Sequence, residues 1–389
     1  MKRLADRKDC TGCFACLQKC EKQAIKKTLG NDGFYYPEIV NEICVNCGKC
    51  SQACPLINNE KEDNQYHSIL AANSVNNNIL EHSSSGGVLS ELAEAVINLG
   101  GRVYGAAYQE NFTIKHISIT KISEIGKLQG AKYAQSDLQN SFVEIERYLQ
   151  QGQVILFSGT PCQVGGLKAF LGKDYSNLIC LDFICHGIPS PAVWDRYLDY
   201  RKNADSDHSK ISAIEMRSKV SGWVNYKYSS VYSYESGYYK TLKNGEEPFM
   251  ALFLQEKINR LSCSNCHFKL KRYSDLTVGD CWGIWDIQTE LEIDKGVSLI
   301  IINTEKGKTL LDTIKQKLNT ADMNQYNFEK FNPAYIKSFS PDIDREYIIK
   351  RILHGDNSYF DNPNQVTFKQ KLNRHFRSKA DIASSGRKI

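Results

Sequence analysis

The sequence predicts an α+β module over residues 1–56, a linker at 57–65, an α/β domain at 66–318 and a mostly helical C-terminal extension at 319–389. Three observations carry this. A cysteine run is duplicated within the first 54 residues, strand-length apolar runs alternate with helical patterns from His67 to Asn303, and the polar stretch from Leu56 to Gln65 separates the two regions. The chain has 389 residues, 41% hydrophobic and 24% charged, which excludes a disordered or collagen-like protein. A net charge of +5, from 49 Lys+Arg against 44 Asp+Glu, is too small and too spread to call for nucleic acid. The basic excess gathers from Thr367 onward and reads as a solvated terminus.

Cys10, Cys13, Cys16 and Cys20 follow C-x2-C-x2-C-x3-C, and Cys44, Cys47, Cys50 and Cys54 repeat it at an offset of 34 residues. Three thiolates at this spacing wrap one four-iron cube, while the fourth is carried to the other cube. The expected ligand sets therefore cross: Cys10, Cys13, Cys16 and Cys54 for one 4Fe-4S cluster, Cys44, Cys47, Cys50 and Cys20 for the second. Structural zinc sites are the alternative, but they usually present separated C-x2-C pairs. Crowded thiols behind MKRLADRKDC, which has no apolar h-region, predict a cytoplasmic protein with no signal peptide and no membrane span. The segment resembles the bacterial two-cluster ferredoxins, including Pro55 after the last cysteine, and departs from them at Glu21, which follows Cys20. Gly33 to Pro37 is expected to form a hairpin that packs aromatics over the clusters.

In the α/β region His67 to Ala72 reads as a strand. Ser83 to Gly87 then opens a helix whose Val88, Leu92, Val96 and Leu99 follow helical spacing, and Arg102 to Tyr108 is the next strand. Small residues at a helix start let backbone N–H groups approach a phosphate, although Ser followed by Gly is also an ordinary way to begin a helix. Val154 to Phe157 and Leu178 to Ile184 read as buried strands, followed by Cys162 and Cys185. If the strands are parallel neighbours, the two cysteines share a sheet edge. With Cys263 and Cys266, another C-x2-C, they make a candidate third 4Fe-4S cluster. A zinc site, or a dithiol that never meets the other two, remains open. Cys180 reads as core packing. Trp223 to Tyr239 alternates tyrosines with polar residues and reads as a half-exposed hairpin, with Arg217, Lys219 and Trp223 as candidate substrate contacts.

Six motifs in order are similar to the coenzyme F420 hydrogenase/dehydrogenase beta-subunit family: Ser84-Ser85-Gly86-Gly87, Gly130 to Ser136, Gly159-Thr160-Pro161-Cys162-Gln163, Cys185-His186-Gly187-Ile188-Pro189, Cys263-x2-Cys266 and Asp275 to Asp280. The similarity runs from Cys10 to about Leu318, with Cys281 a departure before Trp282-Gly283. The resemblance implies an α+β ferredoxin module followed by an α/β flavin-binding domain. It implies FAD contacts from Ser85, Gly86, Gly87, Lys132 and Ser136, and cluster ligation by Cys162, Cys185, Cys263 and Cys266.

The expected activity is that of an iron-sulfur flavoprotein oxidoreductase. It would move electrons between its ferredoxin-type clusters and FAD, and exchange two electrons with an organic partner. His186 is the candidate proton donor. Redox partners would be ferredoxin, a reduced flavin or deazaflavin, or a nicotinamide donor. The substrate is unassigned, with polysaccharide biosynthesis as one setting that the relatives suggest. The other expectation is an electron-transfer subunit that serves a separate catalytic protein. In either case the ferredoxin part is expected to be a separate module on a linker.

Overall fold

The computed structural model describes residues 4–57, 66, 68–269 and 271–364. In the N-terminal module each cysteine run ends on one short helical turn, α1 (Ala15–Gln18) and α2 (Lys49–Gln52). Between them β1 (Ile25–Leu29) pairs antiparallel with β2 (Tyr35–Ile39), Ile25 opposite Ile39. The hairpin is thus longer than the expected Gly33 to Pro37, which supplies only the turn and the start of β2. Polar, exposed side chains along β1 hide its strand period from the sequence.

The chain continues through β3 (Ser68–Ser74), α3 (Asn77–Glu81), α4 (Val88–Asn98), β4 (Arg102–Tyr108), β5 (Ile114–Ile119), α5 (Ser141–Gln150), β6 (Ile155–Gly159), α6 (Pro161–Leu171), β7 (Leu178–Phe183) and α7 (Pro191–Ala204). Then come β8 (Ile211–Ser218), β9 (Ser229–Tyr234), β10 (Tyr239–Lys243), α8 (Pro248–Leu254), β11 (Leu276–Asp280), β12 (Ser298–Ile302), α9 (Glu305–Thr313) and β13 (Leu318–Asp322). Short helices follow, α10 (Phe328–Phe331), α11 (Arg345–Leu353) and α12 (Ser358–Asp361).

Eight strands form one mixed sheet in the order β13-β3-β12-β11-β7-β6-β4-β5, in which β4, β6, β7 and β11 are parallel. Alternation along these strands builds a core on each face. Val103, Leu156 and Ile179 pack with Leu92 and Val96 of α4 and Leu310 of α9, whereas Tyr104, Phe157 and Cys180 pack with Phe142 of α5 and Leu167 of α6. The sequence places the start of the helical extension at 319, but Leu318 to Asp322 is a strand that pairs with β3 and closes the sheet edge.

A second, antiparallel sheet, β10-β9-β8, lies under α7, α8, α11 and α12. Of the tyrosines expected on a half-exposed hairpin, Tyr232 and Tyr234 point into this core, whereas Tyr226 is exposed beside Trp282. Tyr228, Tyr232 and Tyr234 are buried, the hairpin itself is β9 and β10, and Trp223 precedes it in a turn.

The N-terminal module is not separate. Cys13, Ala15 and Ala53 belong to the same apolar cluster as α5 and α6, Lys27 pairs with Asp137, and the Phe142 N–H donates to Gln18 Oε1 at 2.9 Å. The polar stretch after Leu56 suggested a tether, but burial of the cysteine loop against α6 fixes the module. Residues 58–65 of the expected linker and the basic stretch from Thr367 lie outside the described residues. Among the described residues no helix is long and apolar enough to cross a membrane.

Candidate iron-sulfur centres and the strand-end site

Burial drives three thiols of the first crossed set upward, those of Cys13, Cys16 and Cys54, and neighbouring thiols add to it by repulsion. Burial pushes Cys13 up to about 12, with further contributions from Cys10 and Cys54. Cys16 is raised well above the ordinary thiol value, first by burial and then by Cys13, Cys10, Cys54 and Cys50. Cys54 of the second run therefore sits with the first three cysteines of the first run. In the other set, Cys20 and Cys50 pack in one small core with Cys16 and Ile25, the Ala24 N–H donates to Cys20 Sγ at 3.3 Å, and Cys47 is exposed. Glu21, the departure after Cys20, pairs with Lys49 at 2.6 Å.

The four dispersed cysteines converge at the C-terminal ends of the parallel strands. β6 and β7 are neighbours, with Gly159 opposite Asp182. After β6, Thr160 caps α6 in a reciprocal box with Gln163, which places Cys162 in the first turn, 3.1 Å from Thr160 Oγ1. Cys185 follows β7. Cys263 and Cys266 sit on the short turn Leu261–Asn265 and its end, and this turn is held beside the β7 loop by the Arg260 N–H donating to the Ile188 carbonyl at 2.9 Å. Burial raises the Cys162 thiol far above its ordinary value, with Cys266, Cys185 and Cys263 adding to it. Burial also pushes Cys263 up to about 12, aided by Cys185 and Cys266, and Cys185 up to about 11.

Among the described residues no three His, Cys, Asp or Glu side chains close on a single metal ion. A four-iron cube takes one thiolate per iron and spreads its ligands wider, so four converging thiols with no carboxylate or imidazole in the set fit that group. Cys180 and Cys281, the two cysteines left over, are buried in apolar cores.

His186 lies beside this set. Its Nε2 is 2.5 Å from Glu256 Oε1, and its ring stacks on Phe339 at 4.3 Å and meets the edge of Phe253 at 5.0 Å. Lys269 Nζ donates to the Cys185 carbonyl at 2.6 Å and to the Ala334 carbonyl at 2.8 Å. Glu256, Lys269 and Arg260 were not singled out from the sequence. No local motif marks them, since each acquires its role only when distant segments meet.

The loop before α4 is already engaged by protein. Ser85 Oγ donates to the Val297 carbonyl at 2.8 Å, and the Gly86 N–H donates to Ser298 Oγ at 2.9 Å. A Cβ at Gly86 would lie 2.1 Å from the Ala72 carbonyl oxygen, so close packing of the loop on β3 requires this glycine whether or not a phosphate approaches. Gly87 takes the left-handed cap position at φ 82. Lys219 Nζ donates to the carbonyls of Leu80 and Ser85, and Lys132 Nζ to those of Leu128, Gln129 and Gly130. Burial brings both ammonium groups down to about 7. No carboxylate pairs with either lysine among the described residues, which is the donor chemistry an anionic diphosphate would meet.

Ser136 is engaged by protein. It closes a buried chain in which Gln163 Nε2 donates to Ser136 Oγ at 2.9 Å, Ser136 donates to His116 Nδ1 at 3.0 Å, and His116 Nε2 donates to the Ser158 carbonyl at 3.0 Å. The carbonyl can only accept, which fixes this direction. The chain ties β6 to the α6 turn that carries Cys162. Of the substrate candidates, Arg217 is buried against Asp280 at 3.2 Å and over Tyr228 at 3.9 Å, Lys219 is bonded as above, and Trp223 stacks on Trp282 at 4.9 Å.

Residues 152–325 match the family described as the C-terminal region of the beta subunit of coenzyme F420 hydrogenase/dehydrogenase, and residues 9–56 match the 4Fe-4S dicluster domain. The chain thus carries a C-terminal region of this beta-subunit type and a 4Fe-4S dicluster domain at its N-terminus. The beta-subunit match contains all four dispersed cysteines, whereas Ser85, Gly86, Gly87, Lys132 and Ser136 precede it. No curated protein matches the chain. Among solved structures, a chain of the F420-reducing NiFe hydrogenase complex from Methanosarcina barkeri aligns at a TM-score of 0.48 and 15% identity, covering 76% of this chain and 91% of that one.

Proposed function

We propose that this protein is an iron-sulfur flavoprotein oxidoreductase with three 4Fe-4S clusters and FAD. Cys10, Cys13, Cys16 and Cys54 would hold one cluster and Cys44, Cys47, Cys50 and Cys20 a second. Cys162, Cys185, Cys263 and Cys266 would hold the third. When bound, such clusters exchange single electrons, and FAD couples these to two-electron chemistry on an organic partner. The observation that carries the reading is the meeting of Cys162, Cys185, Cys263 and Cys266 from three separate segments, directly under a docked dicluster module.

The protein's own residues position these groups. The Thr160 and Gln163 box and the His116–Ser136 chain fix Cys162, Lys269 braces Cys185, and the Arg260 turn brings in Cys263 and Cys266. On the same sheet edge, β3 runs parallel to β11 and delivers the Ser83 to Gly87 loop and the α4 N-terminus, with Lys219 and Lys132 as cations for a diphosphate. His186, steadied by Glu256, is the proton donor this reading assigns to the organic partner.

Anaerobic protein should contain about twelve iron and about twelve acid-labile sulfide per chain, with non-covalent FAD. About eight iron would remove the third cluster. FAD that no small-molecule donor bleaches, together with a co-purifying partner, would make the chain an electron-transfer subunit instead.

A further inference from the structure

The buried arginines differ in one respect. Arg217 meets Asp280 at 3.2 Å, Arg272 meets Asp182 at 3.0 Å, Arg345 meets Asp32 at 3.2 Å, and Arg201 pairs with Asp205. Arg260, 1% exposed, has no carboxylate partner among the described residues. Its Nε donates to the Cys10 carbonyl at 2.7 Å, one Nη to Gln135 Oε1 at 2.8 Å and the other to the Tyr35 carbonyl at 3.1 Å. The guanidinium lies over Tyr36 at 4.3 Å and Phe34 at 5.1 Å. These partners are all neutral. A buried cation with no counter-ion is strongly disfavoured, so this site calls for an anion.

The anion-forming groups within reach are cysteines on both sides. Arg260 Nη2 lies 4.0 Å from Cys10 Sγ, in the dicluster module, and Arg260 is three residues before Cys263 on the opposite side. The Cys263 N–H donates to the Arg260 carbonyl at 3.0 Å, which ties the arginine to that side. The two cysteine sets also touch through α6. Gly166, one helical turn after Cys162, is so close to the dicluster module that a Cβ there would lie 2.9 Å from Cys13 Sγ.

We propose that Arg260 is the shared counter-charge of the two centres that face each other, the Cys10, Cys13, Cys16 and Cys54 centre and the Cys162, Cys185, Cys263 and Cys266 centre. It makes both easier to reduce than the outer Cys20, Cys44, Cys47 and Cys50 centre. This rests on the cluster assignment above. A four-thiolate 4Fe-4S centre is anionic and gains a further negative charge on reduction, so a fixed cation in a dry site favours its reduced form. Near the outer centre the Glu21–Lys49 pair is solvent-exposed and cancels itself.

Electrons therefore run inward from the exposed Cys47 face. A one-electron reductant of the iron-sulfur class is oxidised there, and the centre beside Arg260 is reduced, with no bond or proton change.

The test is an anaerobic redox titration followed by EPR on wild type, Arg260→Gln and Arg260→Lys, with Cys47→Ser marking the outer centre's signal. In Arg260→Gln the reduction equilibrium of both facing centres should shift about tenfold toward the oxidised form, ~59 mV for one electron. The outer centre should stay in place, and Arg260→Lys should restore most of the shift. In wild type alone, which needs no Arg260 variant to fold, the signal sensitive to Cys47→Ser should be the hardest to reduce.

Three signals with unmoved potentials in Arg260→Gln, or all three moving equally, overturn the role of Arg260 alone. So does an outer centre that is the easiest to reduce. Protein with no signal from the four-cysteine set overturns the cluster assignment, and this proposal with it.

Discussion

Cys13 rests on Gly166. An added Cβ at Gly166 would meet Cys13 Cβ at 2.8 Å and Cys13 Sγ at 2.9 Å, so the cysteine loop of the dicluster module is seated on the backbone of α6 one turn beyond Cys162. The module and the strand-end cysteines are therefore parts of one packed body.

Replacing Gly166 with Val should press the module off α6. The expected cost is about 1–3 kcal/mol of stability from overpacking, read by denaturant unfolding of the anaerobic protein. Limited proteolysis should cut between the two parts faster than in wild type. A variant as stable and as resistant as wild type would show that the module does not depend on this contact.

Gly86 and Lys132 separate two explanations for the loop before α4. Gly86→Ala would drive a methyl into the Ala72 carbonyl and should lower stability, with flavin lost as a consequence. Lys132→Met removes a cation without filling space. It should weaken FAD by roughly 10- to 150-fold, the equivalent of about 1.5–3 kcal/mol for a charged hydrogen bond, while iron content stays the same. Unchanged FAD affinity in Lys132→Met, measured by equilibrium dialysis, would take Lys132 out of the flavin site.

His116 gives a pH dependence with a defined sign. Burial lowers its folded-state value from 6.5 to about 4, so the ring is neutral in the fold. The unfolded chain binds this proton more readily. The contribution is therefore complete above pH 6.5 and is lost as pH falls from 6.5 toward 4, by roughly 3 kcal/mol. His116→Gln should flatten the stability profile across that window, and a profile as steep as wild type's would assign the acid sensitivity to other groups.

The buried Asp182–Arg272 pair should behave as a structural pin beneath the strand ends. Asp182 is fully buried and accepts from Arg272 at 3.0 Å and Thr277 at 2.6 Å. Arg272→Met would strand the carboxylate, costing about 3–5 kcal/mol by thermal or denaturant unfolding. A loss under ~1 kcal/mol would mean that the Thr277 hydroxyl satisfies it.

What the sequence makes legible is local. The two cysteine runs declare themselves by spacing, and Cys162 and Cys185 by following apolar strands, because strand period and turn residues act over a few positions. Arg260, Gln135 and Gly166 carry no such mark. Each meets the Cys10 to Cys13 loop across more than a hundred residues of chain, and neither periodicity nor spacing encodes that contact. The same limit explains the misplaced extension boundary at Leu318, where a strand with an exposed, polar pattern joins the sheet by pairing with β3. Tyr232 and Tyr234 alternate as half-exposed strand residues do, yet they are buried, because α7 and α8 cover that face.

The most direct measurement is the rate at which reduced ferredoxin bleaches the flavin in anaerobic stopped flow, compared between wild type, Cys162→Ser and Cys180→Ser. Cys162 sits among the four converging cysteines, whereas Cys180 lies in the apolar core. The account predicts that Cys162→Ser slows bleaching by orders of magnitude while FAD and the dicluster iron remain, and that Cys180→Ser costs some stability but keeps the wild-type rate. If Cys162→Ser bleaches as fast as wild type with its FAD and dicluster iron intact, the four-cysteine centre is not on the path and the account is wrong.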